Sequence, residues 1–187
     1  MKSITKSDFR KNCIKKLKFC SKTSKLKKDK DILKKILKII KFEQPKNILL
    51  YIPLGMEVDV MPLINWLRRD KKYRVFVPYM VGNSLKIVPF RLPLNTKKYN
   101  IKEPNDSNFR YKINLDLAIV PIIGYDESFR RVGFGVGFYD RFFLSLKKIP
   151  KIIFTQLCDC KATNILTQVH DVKADYIITN KGTKWNR

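Results

Sequence analysis

The residues best suited to chemistry lie together in Arg131-Val132-Gly133-Phe134-Gly135-Val136-Gly137-Phe138-Tyr139-Asp140. This stretch follows the apolar run 115–123 and precedes a helical pattern over 142–147, so it reads as strand, glycine loop, helix. Glycine at every second position leaves the backbone open to positive φ, and successive amides can turn onto one bound anion. The following helix offers its positive dipole end to the same place, and Arg131 can grip phosphate oxygens with two parallel hydrogen bonds. Asp140 is placed to hold a divalent cation against those oxygens. The bland alternative for the glycines alone is a tight turn that needs them only for packing. Two familiar nucleotide loops are excluded, because Phe138 stands where a dinucleotide fingerprint needs its third glycine and no Gly-Lys-Ser/Thr occurs.

Other residues have weaker claims when read by spacing. Lys6 and Arg10 are four apart, so on one helix they share a side and could meet one phosphate, although such a pair is ordinarily a solvated basic face. Glu57 follows the apolar strand 47–52, at the carboxyl end where open α/β sheets form their ligand crevice. His170-Asp171 invites an acid–base reading, yet no serine or cysteine stands in a nucleophile motif, so a structural histidine is the simpler account. Glu103-Pro104 reads as an extended dipeptide with no catalytic role.

The loop pattern, with Val120-Pro121 upstream, resembles the signature of the 5-formyltetrahydrofolate cyclo-ligase family, Arg-x-Gly-x-Gly-x-Gly-aromatic-Tyr-Asp. Further segments are similar to that family: Lys6-x-x-x-Arg10, Tyr51 to Glu57, Asn100 to Pro104 with Asn for Gly, and His170-Asp171 before Ile177-Ile178-Thr179. The resemblance implies ATP-dependent, Mg²⁺-dependent conversion of 5-formyltetrahydrofolate to 5,10-methenyltetrahydrofolate. It implies that Lys6, Arg10 and Arg131 meet the nucleotide together with loop residues Val132, Gly133, Phe134, Gly135, Val136, Gly137, Phe138 and Tyr139. Glu57 would hold the pterin ring, with Ile52, Phe134, Gly135, Val136, Gly137 and Phe138 also against the folate. Asp140 and Asp171 would serve the metal, and Lys6, Arg10, Arg131 and Asp140 the catalytic step. Two departures stand out: Phe138 replaces the first of two tyrosines, and β-branched Val136 stiffens a variable loop position.

The elements that must position these residues follow from periodicity. Phe9, Cys13, Leu17 and Cys20 form one stripe of a helix over 7–20, with Ser7 or Asp8 as N-cap. Residues 21–30 read as a polar connection, after which Asp31 caps a second helix to 42 that faces Leu33, Ile36, Leu37 and Ile40 inward. Asp59 caps a third helix carrying Val60, Leu63, Ile64 and Leu67. Strands are expected over 47–52, 73–79, 85–90, 115–123, 151–157 and 174–179, and residues 125–130 lengthen the glycine loop enough to act as a lid. Apolar rather than alternating strands interleaved with helices predict an α/β three-layer sandwich, with a mainly parallel central sheet flanked by helices, in a single domain over 1–187.

Composition bounds the rest. The net charge of +24 is extreme, but it lies in Lys-rich helices and loops of a chain also rich in Ile and Asn, and no nucleic-acid module accompanies it. No specific nucleic-acid partner is expected. Cys13, Cys20, Cys158 and Cys160 lack the spacing of a zinc site and read as free thiols in a reducing cytosol. Without an apolar leader or a membrane-length run, the expectation is a cytoplasmic monomer whose partners are ATP and 5-formyltetrahydrofolate, with or without a polyglutamate tail.

Overall fold

The computed structural model describes residues 4–97, 101–105 and 113–186. Its centre is a seven-stranded sheet ordered β11-β10-β9-β6-β1-β2-β3. The strands are β1 (Asn47–Leu49), β2 (Arg74–Val81), β3 (Ser84–Pro89), β6 (Leu117–Pro121), β9 (Lys151–Thr155), β10 (Tyr176–Thr179) and β11 (Gly182–Trp185). The inner five run parallel, and β3 and β11 pair antiparallel at the two edges. The chain steps from β1 outward to β2 on one side, then returns to lay β6, β9 and β10 on the other. Sheets wound in this way open a crevice between the strands flanking the reversal, here β1 and β6.

Alternate residues of each buried strand feed opposite layers. Ile48, Val75, Val77, Leu117, Ile119 and Ile153 pack on one face with the helices α1 (Lys6–Lys22), α2 (Lys25–Glu43) and α3 (Met61–Arg69). Leu49, Phe76, Ala118, Val120, Ile152 and Phe154 pack on the other with Phe142 and Phe143 of α4 (Phe138–Leu144). The three-layer α/β reading therefore holds, with its second helical layer reduced to one short helix and the loops beside it.

Local boundaries differ from expectation for identifiable reasons. Thr5, not Ser7 or Asp8, caps α1, its hydroxyl accepting the Asp8 amide at 3.1 Å. The connection expected over 21–30 is mostly helix, because Lys and Leu are strong helix formers and α2 already starts at Lys25. Asp31 thus lies inside α2, and its expected capping role is not realised. Buried Asp29 instead receives Lys25 one turn earlier at 2.7 Å and the Asp59 amide at 3.1 Å. Asp59 does serve α3, accepting the Met61 amide at 3.0 Å from one residue before the cap position.

Residues 125–130 do not form a loose lid. They close a short hairpin between β7 (Gly124–Tyr125) and β8 (Arg131–Val132). The fully buried Asp126 carboxylate fastens this hairpin, accepting from the amides of Ser128, Leu166 and Thr167 and from both hydroxyls of Ser128 and Thr167, at 2.6 to 3.0 Å. Burial opposes its ionisation, yet these donors outweigh burial and hold the carboxyl below its ordinary range. The free-thiol expectation is also corrected for one pair, since Cys13 and Cys160, 147 residues apart, are joined as a disulfide that ties α1 to the segment after β9. Cys20 and Cys158 remain as thiols.

Candidate functional site

The glycine loop leaves the hairpin at Arg131 and enters α4 at Phe138, bridging the crevice mouth. Gly135 and Gly137 adopt φ of 101° and 74°, values that a side chain would strain. A Cβ on Gly135 would sit 3.5 Å from the Arg10 guanidinium, so this base of α1 lies directly over the loop. Arg10 Nε donates to the Gly133 carbonyl at 2.8 Å. One turn earlier Lys6 Nζ meets Asp171 Oδ2 at 2.6 Å, and the same oxygen accepts the Gln168 amide. The helical spacing of Lys6 and Arg10 thus becomes one cationic edge facing the loop.

Arg131 is almost fully buried and uses its fork on Asp140, with Nε to Oδ1 at 3.1 Å and Nη2 to Oδ2 at 2.9 Å. Oδ1 also accepts the Val172 amide at 3.1 Å. The guanidinium lies over the Tyr139 ring, 5.2 Å from its centroid. A buried bidentate pair is geometrically strong, and removing either partner strands a charge. The sequence assigned these two residues to phosphate and metal; the structure pairs them with each other. Val132 turns its side chain into the core, and its carbonyl accepts the Ile123 amide.

Beneath the loop lies a cavity of about 250 Å³. It brings Ile52 and Glu57 from the β1 side together with Arg131, Phe134, Val136, Gly137, Phe138 and Tyr139 from the loop. Phe134 and Val136 are exposed at its rim. Glu57 is buried, its Oε2 accepting the Leu54 amide at 2.8 Å. Burial pushes its carboxyl up to about 7, against the Leu54 hydrogen bond and the Lys25 charge, which favour ionisation. Burial, and then the Glu57 charge, raise the Tyr139 phenol in turn. The result is a mainly apolar chamber lined by an acid that burial makes easier to protonate and by a guanidinium held on Asp140.

Several lining residues were given no site role from the sequence: Pro78, Met80 and Leu85, and also Tyr51, Ile101, Lys102 and Glu103, which fall in segments that resemble the family. Tyr51 is buried beside Glu57, donating to the Val58 carbonyl at 2.9 Å and sharing a 3.0 Å hydrogen bond with Thr155. Its place two residues beyond β1 could have flagged it. Met80 and Leu85 needed the β2–β3 register, which no local pattern shows. Asn100, matched to a family glycine, lies outside the described residues.

Asp140 and Asp171 lie together beside a second hollow also lined by His170 and Val172. Among the described residues no group of three or more His, Cys, Asp or Glu could hold a metal ion. Both carboxylates already neutralise a cation. The donor set therefore fits magnesium only as an ion carried largely by phosphate oxygens and touched by one or two carboxylates, a common arrangement for this cation. No helix among the described residues is long and apolar enough to cross a membrane.

The fold has a counterpart among solved structures. A solved structure of 5,10-methenyltetrahydrofolate synthetase from Aquifex aeolicus superimposes with a TM-score of 0.76, covering 96% of this chain and 92% of its own at 23% identity, which shows a common fold. The 5-formyltetrahydrofolate cyclo-ligase of Mycoplasma pneumoniae is 25% identical over 149 residues, 77% of this chain and 81% of that protein. A probable 5-formyltetrahydrofolate cyclo-ligase of Schizosaccharomyces pombe is 28% identical over 119 residues, 59% of this chain, and the match spans only 58% of that relative's length. A sequence profile covers far more than these pairwise matches, taking in α1, the glycine loop and the Asp171 segment across residues 2–180, and by that match the chain belongs to the 5-formyltetrahydrofolate cyclo-ligase family.

Proposed function

We propose that this protein uses ATP to convert 5-formyltetrahydrofolate into 5,10-methenyltetrahydrofolate, ADP and phosphate. The observation that supports it most is the continuity of two unlike sites, since Arg131, Gly137, Phe138 and Tyr139 line the apolar cavity that contains Glu57 while also belonging to the loop under Arg10. A flat heterocycle suits the cavity, and a carboxylate can accept the pterin's adjacent N–H and amino donors in parallel. Phosphates suit the loop amides and its cationic edge.

The formyl oxygen is a poor leaving group. Transfer of the γ-phosphoryl group to it gives an iminophosphate, which folate N10 attacks to close the five-membered ring before phosphate departs. No covalent bond to the protein is needed. Catalysis then rests on alignment and on neutralising phosphate charge. Glu57 and Ile52 orient the pterin, while Phe134, Val136 and Phe138 cover the reacting face and exclude water. Lys6, Arg10 and Arg131 bear on the phosphates. Asp140 and Asp171 would hold magnesium there, where it would add further neutralisation of the transferring group.

Every residue in this scheme comes from one chain, so a monomer suffices, and we place the reaction in the cytoplasm. The deciding experiment mixes the protein with 5-formyltetrahydrofolate, ATP and Mg²⁺. Methenyl absorbance should rise with one ADP released per ring closed, and omission of ATP should abolish it. A protein that binds both ligands yet forms no methenyl product defeats the reading.

A further inference from the structure

Strand β2 outruns its neighbour. On the side facing β1, the Arg74 amide donates to the Lys46 carbonyl and the Phe76 carbonyl accepts the Leu50 amide. There the pairing with β1 stops, yet β2 continues to Val81. Backbone groups of alternate residues point the same way, so residues 78 and 80 continue this edge beyond the reach of β1. Position 78 is proline, which has no N–H to leave unpaired. Position 80 is Met80, and its amide donates to Glu103 Oε1 at 2.8 Å.

The pairing of β2 with β3 agrees with this parity. Met80 lies opposite Leu85 and Phe76 opposite Pro89, whose missing N–H fits a pair that exchanges no hydrogen bonds. An open strand edge inside a ligand cavity would otherwise present an unsatisfied amide, which is costly when buried. Glu103 reaches it from outside the main sheet, on a separate two-stranded hairpin of β4 (Leu94–Thr96) and β5 (Lys102–Pro104). Only 3% of Glu103 is exposed, and Pro104 holds it extended. Ile101, Lys102 and Glu103 line the same cavity as the glycine-loop residues.

We propose that Glu103 is a positioning residue that stands in for the missing length of β1. Its carboxylate caps the open edge of β2 and so fixes the β4–β5 hairpin as a wall of the folate cavity. The naming of folate as the ligand rests on the proposed function; the capping of the edge does not. Carboxylate charge is not required for this role, because a glutamine oxygen can accept the same amide.

Two variants and two readouts test it. In Glu103→Ala, the dissociation constant for 5-formyltetrahydrofolate should rise about tenfold, as expected for loss of one buried hydrogen bond, while that for ATP stays within about twofold. Hydrogen exchange at the Met80 amide should accelerate in the same variant. Glu103→Gln should restore both. The inference is overturned if Glu103→Gln binds folate as poorly as Glu103→Ala, which would mean that the charge itself meets ligand, or if Met80 stays protected in Glu103→Ala. Should the unaltered protein fail to bind 5-formyltetrahydrofolate, the proposed function falls, and Met80 exchange still decides whether Glu103 caps the edge.

Discussion

The loop side of the site and the cavity side handle buried charge in opposite ways. On the loop side, acid and base come in matched pairs: Lys6 with Asp171, and Arg131 with Asp140. In the cavity, burial draws Glu57 towards its neutral form despite the Lys25 charge. The first arrangement seats each cation on a carboxylate, so a phosphate bound as proposed would exchange one partner for another. The second keeps a charge in reserve, since donors from a ligand would draw the carboxylate out. On the proposed reading, the loop side would select by geometry, and the cavity by donors that draw out the Glu57 charge.

The largest blow to this contrast should come from Arg131→Ala, which removes the proposed phosphate contact and also strands Asp140. Turnover should fall about 10²- to 10³-fold. Because the lost partner is buried, stability should drop as well, by about 3 kcal/mol. A folded variant with unchanged turnover would take Arg131 out of the site and leave it as a structural ion pair.

Glu57→Gln sharpens the cavity half. The Glu57 carboxyl lies above its unfolded value, so the folded state holds a proton that the unfolded state has lost. Stability should thus fall as pH rises from the ordinary carboxyl range to about 7 and then level off. Glutamine should flatten that window in a denaturation series. Folate binding, which on the proposed reading uses the ionised acid, should strengthen in the parent protein as pH rises through about 7. The variant should bind weakly at every pH, with its ATP requirement little changed. Equal losses for both ligands would break the division between the two sides.

Asp140→Asn should cost less stability than Arg131→Ala without being neutral, because the amide keeps an acceptor for the Val172 amide and one arm of Arg131 but turns a donor towards the other arm and removes the counter-charge of the buried guanidinium. Its velocity curve should shift to severalfold higher Mg²⁺. Equal velocities at equal Mg²⁺ would leave Asp140 with a single role, holding Arg131.

How much of this could be read beforehand depended on how far apart the cooperating residues are. The glycine loop was legible because its whole chemistry lies in ten consecutive residues. The stripe of Phe9, Cys13 and Leu17 was legible from helical spacing, and the inner strands from their unbroken apolar character. The start of α2 was missed because a lysine run reads equally as a solvated loop or as a good helix former. The Cys13–Cys160 bond joins positions 147 apart, and nothing local marks it. Arg131 and Asp140 were both singled out, but their chemistry and the resemblance alike gave them outward roles, and only the turn between them shows that they face each other. Glu103 was given a structural role from its proline; its reach to Met80 depends on where β1 stops.

The same long separations set the order in which the site can come into being. Lys6 and Asp171 are 165 residues apart, and Arg10 must find a carbonyl 123 residues further on. A ribosome delivers α1 first, so its two bases and its apolar stripe emerge long before the loop and the acid they serve. Of the elements α1 packs with, α2 follows at once, and it alone can shelter that stripe early. The loop side of the site is thus completed only once the segment around residue 171 has been made, and a nascent chain halted before it would carry every glycine of the loop without the carboxylate that Lys6 meets.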